Sequence, residues 1–358
     1  MNPNLLLHPD CRHFRGDVPC LPHKQYGVHC EGCSYYDPTD SHILIIKLGA
    51  LGDVIRSTPL LHRLKQEYPR AMIWWLTLSP EILPPQVDVK LAFSPEAITT
   101  LRSVRFTRLY NLDKEKEACA LADQLSAEKK KGFTLRDGKC APIDQDAEHK
   151  FLTGVFDDLN KANTKSYPQE LFEMCGFEFR GEKYILPIQE WTDKKWKFNR
   201  RKKIVGLNTG CGGRWTSRLW PTPYWITTAK RLIKAGYEVV LLGGEQEHTK
   251  NREIARKSGA KYFGHYPLQQ FMNLVNQCDL VVTAVTMAMH ITIGLGKKIV
   301  LFNNIFNKHE FELYGLGEIL EPDFECTCFY SPTCPNNCMQ YLKPERVVQT
   351  VQRLLPRR

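Results

Sequence analysis

Short apolar runs alternate with helical segments twice along this chain, and this alternation limits the fold more than any other feature. The runs are continuous and rich in β-branched residues, which is typical of strands buried in a parallel sheet. They are HILIIKLG at 42–49, AMIWWLTL at 71–78, RFTRLYNLD at 105–113, KKIVGLNTG at 202–210, YEVVLLGG at 237–244, CDLVVTAV at 278–285 and KKIVLFNN at 297–304. Two successive series predict an α/β protein with two doubly wound, Rossmann-like domains facing a cleft, and small cysteine-stapled segments at both termini.

The chain divides into four predicted parts, of which the two Rossmann-like domains are the largest. In order, the parts are a cysteine-rich segment at 1–41, the first domain at 42–190, the second domain at 191–325, and a cysteine-rich loop with a final helix at 326–358. Residues from about 114 to 180 interrupt the alternation with a lysine run and GFTLRDGKCAP, so we interpret them as an insertion. A short strand is also expected at AKYFG, 260–264.

Composition and charge narrow the environment and the partners. The 358 residues are 42% hydrophobic and carry a net charge of +10, which favours anionic partners such as nucleotide diphosphates, phosphorylated glycans or a membrane surface. No long apolar run and no signal peptide is evident, so we expect a cytoplasmic protein, with peripheral binding to the inner membrane left open. The basic runs are short and lack interleaved aromatic residues, so a nucleic acid is not the expected partner.

The stretch ILIIKLGALGDVIRSTPLL, 43–61, ends a strand in glycines and then carries a carboxylate, Asp53. A phosphate-binding loop would need a lysine after Gly52, and an aspartate there would repel a phosphate. Asp53 is therefore either the N-cap of the next helix or a general base. If it is the cap, Pro59 kinks the helix; otherwise Thr58 is the cap and Pro59 the first helical residue.

The second series supplies the cationic and small residues that the first lacks. In NTGCGGRWTSRLWP, 208–221, Arg214 and Arg218 could clamp a diphosphate, while Thr209 and Gly210 offer hydroxyl and backbone donors. The alternative is a pair of solvated arginines on a loop.

Two further strand ends complete the predicted donor site. Gly243 and Gly244 precede Glu245 and Glu247, whose carboxylates suit ribose hydroxyls or the first turn of a helix. VTMAMH opens a helix directly after a strand, which would direct backbone amides at a ligand. His290 in that helix is either a hydrogen-bonded core residue or a ligand-binding one. The donor-binding candidates are Gly52, Thr209, Gly210, Arg214, Arg218, Gly243, Gly244, Glu247, Thr286, Met287 and His290.

The motifs KLGALGDVIRSTPLL, NTG…RLWP, LGGEQE and a strand followed by T-M-A-M-H occur in the order found in one enzyme family. Over about residues 42–355 the chain resembles glycosyltransferase family 9, the ADP-heptose:lipopolysaccharide heptosyltransferases. The resemblance implies a GT-B fold and an inverting transfer, without a catalytic metal, of a heptose-like sugar from a nucleotide-diphosphate donor. The first domain would then bind the acceptor and the second the nucleotide sugar.

Matched residue by residue, the resemblance makes Asp53 the catalytic base and Arg218 the phosphate-binding cation. Thr209 and Glu247 match the family's threonine and glutamate. Where relatives carry D-T-G-x-x-H, this chain has V-T-M-A-M-H, so Thr286 and His290 match while the aspartate is Val285 and the glycine is Met287.

Eight of the thirteen cysteines lie in two terminal clusters. Cys11, Cys20, Cys30 and Cys33 stand in a short polar segment, where a four-thiolate site would replace a hydrophobic core, and His23 or His29 could replace one ligand. Cys326, Cys328, Cys334 and Cys338 stand in a second loop. Disulfides are the alternative, but the expected cytoplasmic location argues against them. We expect structural zinc in the first cluster and zinc or iron in the second.

Three functions remain open from the sequence. The first is a heptosyl-type transferase that acts on a lipopolysaccharide-type or lipid-linked glycan. The second is a non-catalytic nucleotide-sugar-binding or assembly protein of the same fold, which the Val285 difference keeps open. The third is a transferase that modifies a protein. Self-association is compatible with each of them.

Overall fold

The computed structural model describes residues 6–188 and 196–356. The strands are β1 Ser41–Ile46, β2 Ala71–Thr77, β3 Val89–Ala92, β4 Phe106–Asn111, β5 Ala127–Arg136, β6 Lys139–Pro142, β7 Ile204–Asn208, β8 Glu238–Leu242, β9 Leu280–Ala284, β10 Lys298–Phe302 and β11 Gly317–Leu320. The helices are α1 Leu21–Tyr26, α2 Leu51–Ser57, α3 Leu60–Glu67, α4 Pro95–Arg102, α5 Lys116–Gln124, α6 Glu148–Leu152, α7 Asp157–Ala162, α8 Tyr167–Met174, α9 Thr222–Lys234, α10 His248–Ser258, α11 Leu268–Asn276, α12 Met287–Gly294 and α13 Pro344–Leu354. In the described ranges, no helix combines the length and apolar character needed to cross a membrane.

The first compact unit contains a six-stranded sheet in the order β3-β2-β1-β4-β5-β6. Five strands run parallel, and β6 pairs antiparallel with β5 at the edge. One core of this unit is formed by Leu44 and Ile46 of β1 with side chains from β2, β4, α4 and α5. The described residues of this unit are 6–49, 59–148 and 172–177.

The second compact unit contains a parallel five-stranded sheet in the order β11-β10-β9-β7-β8. Residues of α9 and α13 pack with these strands in one core. The described residues of the unit are 50–58, 149–171, 178–188 and 196–356. It therefore includes α2, whose sequence directly follows β1, so the units do not coincide with the predicted domains. The predicted boundary between residues 190 and 191 lies outside the described residues.

The interpretation of residues 114–180 as an insertion is wrong for their first part. α5 and β5 continue the βα alternation, and β5 pairs in parallel with β4. The lysine run, residues 129–131, lies in the exposed to half-buried first half of this strand, and only Gly132, Phe133 and Thr134 are buried in its second half.

Two local predictions are also corrected. Neither Asp53 nor Thr58 is the N-cap of a helix, because Ala50 is the N-cap of α2 and Pro59 is the N-cap of α3, while Thr58 is the C-cap of α2. Proline lacks the N–H that would continue the first helix through this point. The expected strand at 260–264 is reduced to a single bridge between Lys261 and Val240.

Candidate active site

Asp53 is the third residue of α2, and 31% of its side chain is exposed. The nearest cation is Arg56, one turn further along the same helix, whose Nε lies 2.9 Å from Asp53 Oδ1. Residues three apart on a helix share a face, so the pairing follows from the sequence spacing. Arg56 Nε lacks a hydrogen bond of acceptable geometry despite this short distance. The contact between the two side chains is therefore mainly a charge–charge interaction.

Arg56 also contacts groups that are far away in sequence. Its Nη1 donates to Glu310 Oε1 at 3.2 Å, and its guanidinium carbon lies 3.4 Å from the centre of the Tyr167 ring. Burial lowers the pKa of Arg56, but the carboxylates of Asp53 and Glu310 outweigh that effect and raise it. The guanidinium therefore stays charged. Asp53 and Glu310 contact its edges, and the ring of Tyr167 packs against its face.

His290 of α12 packs against Gly52 of α2. A Cβ atom added to Gly52 would lie 2.6 Å from His290 Cδ2, which is closer than real side-chain contacts allow. His290 is buried, and its Nδ1 has no hydrogen-bond partner in the part of the chain that the structure describes. Burial, with a smaller contribution from Arg56, lowers the pKa of His290 to about 3. The imidazole is therefore neutral near pH 7.

Gly52→Ala should destabilise the protein by about 1–3 kcal/mol, because α2 and α12 must separate to admit the methyl group. Urea unfolding of the purified variant measures this loss. Gly49→Ala is the matched control, since a Cβ there would meet Leu78 at an ordinary 3.7 Å. Equal stability of the two variants would show that the close approach of His290 does not require a glycine.

Arg218 lies in a short 3₁₀ turn, Thr216–Arg218, after β7. Its side chain is partly buried and donates to the backbone carbonyls of Cys211, at 2.9 Å, and Val285. Among the described residues it has no carboxylate partner, and its buried Nε has no hydrogen-bond partner. Burial lowers the pKa of Arg218. A desolvated cation without a counterion is an arrangement that suits a bound anion.

The other predicted arginine differs from Arg218. Arg214 is exposed, and its guanidinium lies 5.7 Å from the centre of the Trp215 ring. This environment fits the solvated alternative, whereas that of Arg218 does not.

The residues that follow β7 form a compact polar group. Thr209 is buried, and its hydroxyl donates to Asn251 Oδ1 at 2.6 Å, so its hydrogen is not directed at a ligand. Glu247 Oε2 accepts from the N–H of Gly244 at 2.9 Å, and a Cβ on Gly210 would collide with the Glu247 carboxylate. Glu247 therefore stabilises the turn after Gly243, while its part in binding ribose remains a prediction.

Two residues of this group were missed from the sequence. Lys250 Nζ donates to the carbonyl of Thr209 at 2.8 Å, and burial lowers the pKa of this lysine. Asn208 Nδ2 donates to Thr283 Oγ1 at 3.0 Å and more weakly to Thr286 Oγ1. Lys250 stands three residues after Glu247, so helical spacing could have drawn attention to it.

Thr286 is the N-cap residue of α12, and Met287 is the exposed first residue of that helix. Val285, which differs from the family pattern, contributes only its carbonyl to Arg218 among the hydrogen bonds of the described chain. Each of the predicted catalytic and donor-binding residues thus lies in the second unit. Their roles remain predictions.

The C-terminal cysteines converge as expected. The sulfur atoms of Cys326, Cys328, Cys334 and Cys338 all lie within 4.8 Å of one another, and the nearest, Cys326 and Cys328, are 2.7 Å apart. A tetrahedral zinc–thiolate site, with bonds of about 2.3 Å, places its sulfurs about 3.8 Å apart. The group can therefore hold a metal ion with modest adjustment.

The loop that carries these cysteines, residues 326–338, is called the cysteine loop below. Its Pro332 carbonyl accepts from the N–H of Ser217 at 3.0 Å, and its Ser331 carbonyl accepts from the Ser217 hydroxyl at 2.8 Å. Asn304 Nδ2 donates both to Cys338 Sγ and to the Ser217 carbonyl. The cysteine loop thus supports the turn that carries Arg218.

The predicted four-thiolate site at the N-terminus stays a prediction. Cys11, Cys20, Cys30 and Cys33 line one cavity of about 350 Å³, together with His23 and His29, but within residues 6–188 and 196–356 only the C-terminal cysteines reach ligand spacing. In this segment Cys11 bridges to Pro38, and Cys20 is the N-cap residue of α1.

Comparison with known proteins places this chain in a family. Residues 96–310 match the model of glycosyltransferase family 9 (heptosyltransferase), and this match covers more than half of the chain. The chain therefore belongs to glycosyltransferase family 9. It is 22% identical over 291 residues to lipopolysaccharide heptosyltransferase 2 of Salmonella typhimurium (strain LT2), covering 72% of this chain and 81% of that relative.

Two solved structures show the same fold. A family 9 glycosyltransferase from Veillonella parvula DSM 2008 has a TM-score of 0.67 at 17% identity, covering 88% of this chain and 97% of that one. The dodecameric iron-containing heptosyltransferase TibC of enterotoxigenic E. coli, in complex with ADP-D-β-D-heptose, has a TM-score of 0.55 at 12% identity, with coverages of 88% and 76%. The predicted α/β fold with two parallel-sheet domains, GT-B, is confirmed, and so is the enzyme class, a glycosyltransferase.

Proposed function

We propose that this chain transfers a heptose from a nucleotide-diphosphate donor, of the ADP-heptose kind, to a hydroxyl group of a lipopolysaccharide-type glycan, with inversion at the anomeric carbon. The observation that carries the proposal is Arg218, a partly buried cation with an unpaired Nε and no carboxylate partner in the described chain. The names of the Salmonella relative and of the TibC complex support the sugar and the nucleotide.

The reaction exchanges one bond at the anomeric carbon for another. The acceptor oxygen attacks this carbon from the face opposite the diphosphate, and the bond between the carbon and the diphosphate oxygen breaks. Asp53 takes the proton of the acceptor hydroxyl. Arg218 stabilises the negative charge that develops on the departing diphosphate. Lys250 is a second cation near the same turn, and it adds to this field without making an ion pair in the described residues.

No divalent ion takes part in this reaction as proposed, and the metal of the cysteine group has a structural role. A zinc or iron ion bound by Cys326, Cys328, Cys334 and Cys338 would crosslink the cysteine loop. TibC is named as iron-containing and dodecameric, which supports iron as one candidate and self-association as a prediction for this chain. A lipid-linked acceptor would bring the protein, with its net charge of +10, to an anionic membrane surface.

Product analysis tests the function. The protein is incubated with ADP-heptose and heptose-deficient lipopolysaccharide, with added Mg²⁺ or without it, and the product is examined by NMR. We expect ADP release that depends on the acceptor, an inverted anomeric configuration, and a rate that does not depend on Mg²⁺. ADP-heptose binding without transfer to any glycan or protein acceptor would favour the non-catalytic alternative. Transfer to a protein instead would identify the protein-modifying one.

Removing the metal from the cysteine group should weaken ADP binding about fivefold, because Arg218 must then be ordered at a cost of about 1 kcal/mol. Titration calorimetry with ADP measures the affinity of protein treated with a thiol-compatible chelator, and elemental analysis measures its metal content. Reloading with zinc or iron should restore the affinity. Equal affinity of the metal-free and reloaded protein would mean that the cysteine loop does not support the donor site.

A further inference from the structure

Arg56 and Glu310 form a buried ion pair beside the proposed base. Only 13% of the Arg56 side chain and 11% of the Glu310 side chain are exposed, compared with 31% for Asp53. Removing two charges from water is costly, and such a pair is weak evidence for stability. The position of the ion pair next to Asp53 offers a functional reason for burying the two charges.

We infer that Arg56 and Glu310 are positioning residues for Asp53, and that their opposite charges together set the pH range in which Asp53 accepts a proton. This inference rests on the proposed function, in which Asp53 is the general base. Arg56 stabilises the ionised carboxylate by charge, because its Nε lies 2.9 Å from Oδ1 without a directed hydrogen bond. Glu310 takes up part of the same positive charge through Nη1.

The guanidinium is fixed by contacts on the side away from Asp53. The Tyr330 hydroxyl donates to Glu310 Oε2 at 3.2 Å, so both oxygens of this carboxylate are engaged. The turn that carries Glu310 follows Asn307, whose side chain donates to the carbonyls of Asn160 and Asn163, each at 2.6 Å. Because these contacts fix the Arg56 guanidinium, Arg56 holds Asp53 in one orientation.

Three neighbouring groups do not change charge near neutral pH, because burial keeps His290 neutral and raises the pKa values of Tyr184 and Tyr330. The groups that face Asp53 and Arg56 from the surrounding elements are Tyr167 of α8, Tyr184 and its neighbour Glu312, His290 of α12, Glu310 and Tyr330. The ion pair of Arg56 and Glu310 is therefore the pair of charges next to Asp53 that the pH experiment addresses.

The pH profile of kcat/KM tests the inference, because its acidic limb reports the ionisation of the base in the free enzyme. Arg56→Gln removes the cation beside Asp53, so the limb should move to higher pH by about one unit. Glu310→Gln removes a negative charge, so the limb should move to lower pH by a smaller amount. Arg56→Lys keeps the charge but loses the planar fork, so kcat should fall while the limb stays in place.

The exposed pair Arg353 and Glu318 provides matched controls, since Arg353→Gln and Glu318→Gln remove the same charges far from Asp53 along the chain. Neither control should shift the limb. Unshifted limbs in Arg56→Gln and Glu310→Gln, or shifts in the same direction, would overturn the inference. If Arg56→Gln does not fold, Glu310→Gln and Arg56→Lys decide the question through the limb position and kcat. Full transfer by Asp53→Asn would instead remove Asp53 from the role of general base, whereas the proposed function itself would fail if the unmodified protein showed no acceptor-dependent release of ADP.

Discussion

Asp53→Asn should lower kcat about 10²- to 10⁴-fold, the range that general-base catalysis contributes. The substitution keeps the size of the side chain, but the amide cannot take the proton of the acceptor hydroxyl. Binding of ADP should be unchanged, because the proposed contact with the diphosphate is made by Arg218 and not by residue 53. Acceptor-dependent ADP release measures kcat, and titration calorimetry measures the affinity for ADP.

The matched control for this variant is Asp323→Asn. Asp323 lies in the same unit, is 75% exposed, and pairs with Arg346 on the surface. Wild-type activity is expected there. A rate within about threefold of the wild type for Asp53→Asn would fall far below the contribution of a general base and would remove Asp53 from that role.

Arg218→Ala should lower kcat about 10²- to 10³-fold, as the loss of other single charge-stabilising donors does. Affinity for ADP should also fall, about tenfold or more, because a charged hydrogen bond contributes about 1.5–3 kcal/mol. This loss of binding separates Arg218 from Asp53, whose substitution should affect the chemical step alone. Steady-state kinetics and calorimetry on one preparation give both quantities.

Arg218→Lys should recover part of the affinity and less of the rate. Lysine keeps the charge, but it cannot donate to the carbonyls of Cys211 and Val285 in the planar geometry of arginine. Arg353→Ala, which breaks an exposed ion pair, is the control and should leave both quantities unchanged. Undiminished ADP affinity in Arg218→Ala would show that the diphosphate binds elsewhere.

The sequence predicts the two sheets well because buried parallel strands are continuous apolar runs. The exceptions are β3, β5, β6 and β11. Of these, β5 begins with charged residues near the edge of its sheet. Its burial is limited to residues 132–134, which is too short a run to be distinguished from a loop. The start of α2 was also wrong, because Ala50 lacks the side-chain oxygen by which N-cap residues are recognised.

The candidate site is predictable only where its residues are close in sequence. Arg56 stands three residues after Asp53 on a helix, so its contact with the carboxylate could have been predicted. Glu310 lies 254 positions from Arg56, and only the folded chain brings the two together. The C-terminal cysteines are within thirteen residues of one another and converge.

The cysteine loop determines which concentration the measured rate of this enzyme should be divided by. The carbonyls of Ser331 and Pro332 accept hydrogen bonds from the turn that carries Arg218, so on the proposed role of the metal the loaded molecules bind the donor more tightly than the metal-free ones. A rate divided by total protein concentration then averages two populations with different donor affinities. Turnover per bound metal ion is the value that should agree between two preparations.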